Sequence, residues 1–207
     1  MPNKKNFATE VAAIAMIALF SVFPAAAASV DLSNPAFAQT SGPTSIPIGH
    51  SEFCKTHRSE CGANRRVVDV EVLTEARWQS LIAINDRMNR DIVPVTDADL
   101  YRVEEFWTYP DGYGDCEDIA LAKRRELIAE GWDASTLLMA VVREKNGEGH
   151  AVLMVRTDRG DLVLDNQDGM VRVWTDTPYQ YIKRQSQRNA AEWVDILDNR
   201  VLVVAQQ

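Results

Sequence analysis

Tyr113-Gly114-Asp115-Cys116-Glu117-Asp118 sets a cysteine among acids where a turn hands over to a helix. Just upstream, Tyr109-Pro110-Asp111-Gly112 supplies the Pro and Gly that enforce a turn. Downstream the chain reads as a helix from about Asp115 or Cys116 to Glu130, with Gly131 placed to end it as a C′ glycine. A helix N-terminus carries partial positive charge and N–H groups without helical partners. Both favour thiolate over thiol, and the thiolate is the nucleophile. The same N–H groups can receive an oxyanion formed beside the sulfur. Glu117 and Asp118 act in the other direction, because nearby negative charge raises a thiol's pKa. A histidine or a cation has to offset them.

Outward from this segment the character of the chain divides. On its N-terminal side lie helical patterns. Thr74 is placed to cap a helix carrying Trp78, Leu81, Ile82, Ile84 and Met88 and fading near Asp91. Pro94 breaks the chain, and Thr96 or Asp97 can cap a short helix through Leu100, Val103 and Phe106. On its C-terminal side lie β-like runs: Leu137–Arg143, His150–Arg156, Asp161–Asp165, Val171–Trp174, Trp193–Leu197 and Arg200–Val204. Asn146-Gly147 and Asp158-Arg159-Gly160 mark turns between them. Helices followed by a strand meander predict an α+β fold, with the helices on one face of an antiparallel sheet.

His150 opens a strand after Gly147-Glu148-Gly149 and is the one histidine outside the N-terminal arm, which holds His50 and His57. The next strand ends at Asp165. In simple antiparallel register the start of one strand lies beside the end of the next, which makes His150 and Asp165 neighbours. A carboxylate accepting an imidazole N–H fixes its tautomer and orientation. Taken singly, His150 reads as a surface histidine at a hairpin and Asp165 as a turn former; together with Cys116 they read as a nucleophile, a base and an orienting acid. Lys123-Arg124-Arg125 reads as a solvated helix face, and Lys183–Arg188 as a surface segment too polar for a core element. Trp107 reads as core, with the substrate cleft as the alternative.

The 207 residues suffice for one domain with its own core, and a net charge of −8 argues against a nucleic-acid partner. Lys4 and Lys5 followed by an apolar run from Val11 to Ala28 predict an export signal over residues 1–38; small-residue cleavage sites end at Ala28 and at Ala38, and Pro35 just ahead of the second favours it. Removing residues 1–38 takes away Lys4, Lys5, Glu10 and Asp31 and leaves the charge at −8. The expected location is periplasmic or secreted. Export allows disulfides, and three cysteines imply a pair plus one left over. Cys54 and Cys61 are the close pair and Cys116 the free thiol. Residues 39–66 read as an extended arm bearing this disulfide, and residues 67–207 as the catalytic domain.

The pieces Tyr113–Asp118, Gly149-His150-Ala151-Val152-Leu153 and Val163-Leu164-Asp165-Asn166-Gln167, with Trp78…Ile84-Asn85 and Ile92–Asp97 before them, resemble the bacterial transglutaminase-like cysteine proteinases. That family belongs to the papain/transglutaminase superfamily and includes LapG-like periplasmic proteases of adhesins. The resemblance implies a papain/transglutaminase-like core, a catalytic triad of Cys116, His150 and Asp165, and a protein substrate cut by acyl transfer. It also implies Ca2+ held by Asp115 and Glu117, with Asp118 a weaker candidate, and an inner-membrane regulator as partner. The chain has Ile119 where family members often carry an aromatic residue. Two readings of the acids stand side by side: cation ligands, or a helix cap at Asp115 with Glu117 and Asp118 favouring the helix dipole. Alternatives for the whole chain are a protein transglutaminase or amidase, and a catalytically idle calcium-dependent binding module.

Overall fold

A computed structural model describes residues 30–200. The basic and apolar run of the expected export signal, its first cleavage site at Ala28, and most of the run Arg200–Val204 lie outside them. In chain order the elements are β1 (Thr40–Thr44), α1 (Ile48–Thr56), α2 (Glu75–Asp91), β2 (Val93–Pro94), α3 (Asp97–Leu100), β3 (Tyr113–Gly114) and α4 (Cys116–Ala129). Then come β4 (Leu137–Arg143), β5 (Gly149–Thr157), β6 (Gly160–Leu164), β7 (Arg172–Val173), β8 (Gln180–Gln185) and β9 (Trp193–Ile196). Seven strands form one antiparallel sheet in the order β1-β9-β8-β4-β5-β6-β7. The predicted α+β class is the observed one.

The local signals act as expected where they are strongest. Thr74 accepts the N–H of Arg77 and caps α2. Gly131, at φ 88°, ends α4: its N–H donates to the Ile128 carbonyl and that of Trp132 to the Leu127 carbonyl, a Schellman motif. α4 packs against β5 and β4, and α2 packs on α4. Ile119 and Leu127 of α4, like Leu138, Val152 and Leu153 of the sheet, are fully buried. Each such side chain contributes about 1.5–3 kcal/mol of apolar burial. This packing fixes the N-terminus of α4 against the start of β5.

Four expectations are corrected. The short helix α3 stops at Leu100 and does not reach Val103 or Phe106: Arg102 takes a left-handed φ of 62°, and the chain turns back so that Phe106 N–H reaches the Asp97 carboxylate. The segment read as an extended arm supplies an edge strand, β1, and a helix, α1, whose His50 is 1% exposed. Lys123 and Arg124 are buried, the latter donating to the Leu137 carbonyl at 3.0 Å. The polar stretch at 183–188 begins inside the sheet, where β8 lies between β9 and β4 with Arg184 and Gln185 buried. Its polarity is tolerated because the Gln185 amide is used on both sides, accepting from Met139 N–H and donating to the Ala190 carbonyl. The Cys54–Cys61 disulfide is present, with the Cα atoms 5.4 Å apart.

Candidate active site

Gly114 is the residue that lets the cysteine motif form. A Cβ built there would meet Asp118 Oδ2 at 2.8 Å and Asp118 Cβ at 2.9 Å. With no side chain in the way, the buried Asp118 carboxylate turns back to accept the N–H of Thr108 at 2.7 Å, tying the preceding loop to the first turn of α4. Cys116 then begins the helix, half-buried, with its thiol donating to Glu117 Oε2 at 3.1 Å and accepting the N–H of Ala151 at 3.4 Å. That second contact joins α4 to β5 beside His150.

His150, at the second position of β5, is buried, and its Nε2 lies 2.8 Å from Asp165 Oδ1. The β5–β6 register pairs Leu153 with Leu164, so Asp165 emerges just past the end of β6 next to the histidine. The carboxylate is held from two further sides: Gln167 N–H donates to Oδ1 at 3.0 Å and Tyr179 OH donates to Oδ2 at 2.5 Å, while the Asn89 amide donates to the Asp165 backbone carbonyl at 2.8 Å. Burial raises the Asp165 pKa, but the His150 hydrogen bond and charge and the other two donors outweigh it and hold the group below its ordinary value. With Nε2 engaged, Nδ1 is the ring nitrogen free for proton transfer.

A cleft of about 240 Å³ at this junction is lined by Cys116, Glu117, His150 and Ala151 together with Trp107 and Ile48. The structure therefore brings together all three residues of the expected triad. Ile48, from the supposed arm, is a wall that sequence reasoning assigned elsewhere, and Trp107 is both of the things it was read as, buried core and cleft lining.

The acids around the thiol form a second cluster. Carboxylate oxygens of Asp97, Asp115 and Glu117 all lie within 4.8 Å of one another. Asp97 is 1% exposed, and Oδ1 of both Asp97 and Asp115 is buried without a hydrogen-bond partner. Asp115 does not cap α4; its Oδ2 accepts the N–H of Asp97 at 3.3 Å. Asp97 was absent from the sequence-based ligand set. It arrives through the parallel pairing of β2 with β3, Val93 opposite Tyr113 and Pro94 opposite Gly114, which no local pattern announces. Burial pushes Asp97 up to about 6 and Asp118 up to about 8. It also pushes Glu117 up, aided by the Asp115 charge, and Cys116 well up, aided by the Glu117 charge. Buried carboxylates with orphaned oxygens are the donor set of a hard divalent cation, and these residues fit one.

The family described as bacterial transglutaminase-like cysteine proteinase, BTLCP, matches residues 40–201. No curated protein matches. Among solved structures, the chain is similar to Legionella pneumophila LapG in its calcium-bound form, at 22% identity over 62% of this chain and 74% of that one, with a TM-score of 0.49. LapG of the same organism in its EGTA-treated form is similar at 24% identity over 58% and 71%, with a TM-score of 0.48.

Proposed function

The chain belongs to the bacterial transglutaminase-like cysteine proteinases, and from that premise we propose that it is an exported protease that cuts a peptide bond of a cell-surface or adhesin-like protein through Cys116, His150 and Asp165. The observation that carries the reading is the contact of Ala151 N–H with Cys116 Sγ, which seats the thiol beside a histidine already oriented by a buried carboxylate.

His150 Nδ1 takes the thiol proton and the sulfur attacks the substrate carbonyl carbon. First-turn N–H groups of α4, which have no partner within the helix, receive the oxyanion. The C–N bond breaks as His150 returns the proton to the leaving amine. Water, deprotonated by the same nitrogen, then hydrolyses the thioester and frees the new carboxylate. Asp165 keeps Nε2 protonated and the ring in place throughout.

Asp97, Asp115 and Glu117 would hold a calcium ion beside the nucleophile, consistent with the calcium-bound LapG relative. A bound divalent cation supplies positive charge that offsets three carboxylates. The Cys54–Cys61 disulfide supports a periplasmic or secreted location. Among the described residues no helix is long and apolar enough to cross a membrane. An inner-membrane regulator belongs to this reading through the family alone.

The test is Cys116→Ala in the exported chain, assayed against surface proteins of the producing cell by mass spectrometry in 18O water. Loss of cleavage with an unchanged circular dichroism spectrum is the expected result, and wild-type products carry 18O at a new C-terminus. Retained cleavage overturns the proposal. A product joined to an amine without 18O makes the enzyme a transglutaminase instead.

A further inference from the structure

Asp165 has an anchor for which the three-residue mechanism has no use. Its Oδ1 serves His150 and Gln167, while Oδ2 accepts the hydroxyl of Tyr179 at 2.5 Å. Tyr179 lies in the loop just before β8 and is 6% exposed. Its ring centroid is 5.3 Å from that of His150, tilted by 52°. The loop is itself pinned, because the Arg200 guanidinium donates to the Tyr179 carbonyl at 2.6 Å and Pro178 limits the preceding backbone.

We propose that Tyr179 is a positioning residue for catalysis, fixing the Asp165 carboxylate by its hydroxyl and the His150 ring by its face, so that Nδ1 is aimed at Cys116. This inference rests on the triad assignment above. A carboxylate anchored through one oxygen can turn about its Cβ–Cγ bond and carry Oδ1 away from the imidazole. Anchored through both, it cannot. The donated proton also favours the charged carboxylate against the cost of burying it. Burial and the neighbouring Asp165 charge keep the phenol itself protonated and hence a donor. The charged and titratable groups that face this pair are few. Lys123 reaches Asp165 from α4, with burial pulling its ammonium pKa down to about 7; Tyr181 of β8 lies near Tyr179; and Glu144, just past β4, lies 3.9 Å from His150 Nδ1. Among the described residues the hydrogen-bond donor to Asp165 Oδ2 is the Tyr179 hydroxyl.

The probe is p-nitrophenyl acetate, turned over by the full exported chain across pH. Cys116 takes the acetyl group and releases p-nitrophenolate, and water then releases acetate, so both steps need an aligned His150. Tyr179→Phe keeps the ring and removes the hydroxyl. The expected result is kcat lowered by up to about a hundredfold, KM within about twofold, and the acid limb of the profile moved to higher pH, since Asp165 loses a donor to its charged form. 3-Fluorotyrosine at position 179 keeps the hydroxyl and is expected to restore kcat. A Tyr179→Phe enzyme with wild-type kcat and an unmoved acid limb overturns the inference. If that variant fails to fold, 3,5-difluorotyrosine carries the test: a shifted acid limb supports the role, and an unshifted one overturns it. Cys116→Ala and His150→Ala run alongside separate the two layers. Turnover in either sinks the triad reading itself, whereas inactivity in both beside a normal Tyr179→Phe sinks only the role of Tyr179.

Discussion

Asp115 accepts the backbone N–H of Asp97 at 3.3 Å and leaves the helix it precedes without a side-chain cap. Its carboxylate is turned into a buried acidic cluster and away from the first turn of α4, which favours the cation reading over the capping one. A ligand that binds only the folded chain stabilises it by mass action, about 2.7 kcal/mol at a hundred times Kd. Saturating calcium is therefore expected to raise Tm by roughly 5–10 °C for a chain of this size. Chelator should reverse the rise and depress proteolysis, and Asp97→Asn should remove most of the rise. A Tm indifferent to calcium and chelator would return the acids to a purely structural role.

Gly114→Ala is expected to damage both stability and turnover. The added methyl would sit 2.8 Å from Asp118 Oδ2, so either the buried carboxylate leaves Thr108 or the backbone before Cys116 shifts. Overpacking of this kind costs about 1–3 kcal/mol. Urea unfolding read beside p-nitrophenyl acetate turnover checks it, and a variant with unchanged values in both would show that the loop accommodates the methyl freely.

His50 gives the fold an acid-sensitive point. Its Nδ1 accepts the indole N–H of Trp193 at 3.1 Å, its Nε2 faces the Gln185 amide, and Trp107 packs on the ring. Burial, assisted by the Arg124 charge, lowers its pKa from 6.5 to about 4. Between those values the unfolded chain binds a proton that the folded chain does not, so stability falls as pH drops through 6.5 and the loss is complete below about 4. The loss amounts to roughly 3 kcal/mol. Asp97, raised to about 6, Asp118, raised to about 8, and Glu117, also raised by burial, work in the opposite direction, which makes a difference measurement necessary. Measured at pH 7, 5.5 and 4, the urea midpoint of the parent chain should drop relative to that of His50→Gln as the pH is lowered. Equal slopes would remove His50 as the cause.

What the sequence disclosed depended on how local each signal was. The caps at Thr74 and Gly131 lie within a turn of the helices they bound, and they were readable. The His150–Asp165 contact was readable because one hairpin register carries it. Asp97, Tyr179 and Ile48 were not readable as parts of the site. Each reaches it through a tertiary pairing: β2 with β3, the loop before β8 with the end of β6, and α1 with the cleft wall. Lys123, Arg124, Arg184 and Gln185 misled for a related reason. Charge and polarity predict exposure only until a buried acceptor or donor appears, as the Leu137 carbonyl does for Arg124 and Met139 N–H for Gln185.

The two candidate signal cleavage sites make different demands on the fold. Residues before β1 are packed against β6: Ala36 bridges Gly160, Asp161 N–H donates to the Ala36 carbonyl at 2.8 Å, and Ala38 N–H donates to Asp161 Oδ2 at 2.8 Å. Arg156 lies over the Phe37 ring, and Gly160 is bare where Ala36 crosses, since a Cβ there would meet Ala36 backbone at 2.6 Å. Asp161 is fully buried, and its Oδ1 already lacks a hydrogen bond. Cleavage after Ala38 would take away the donor to Oδ2 as well, and an unsatisfied buried acceptor costs about 1–3 kcal/mol. Cleavage after Ala28 keeps every one of these contacts. On the proposed export, the packing therefore favours a mature chain that begins at Ser29. Intact mass and N-terminal sequencing of protein recovered outside the cytoplasm decide the matter. A chain of residues 39–207 made directly should also unfold at lower urea than one of residues 29–207. Recovery of protein beginning at Gln39, as stable as the longer chain, would show that the packed segment belongs to the precursor alone.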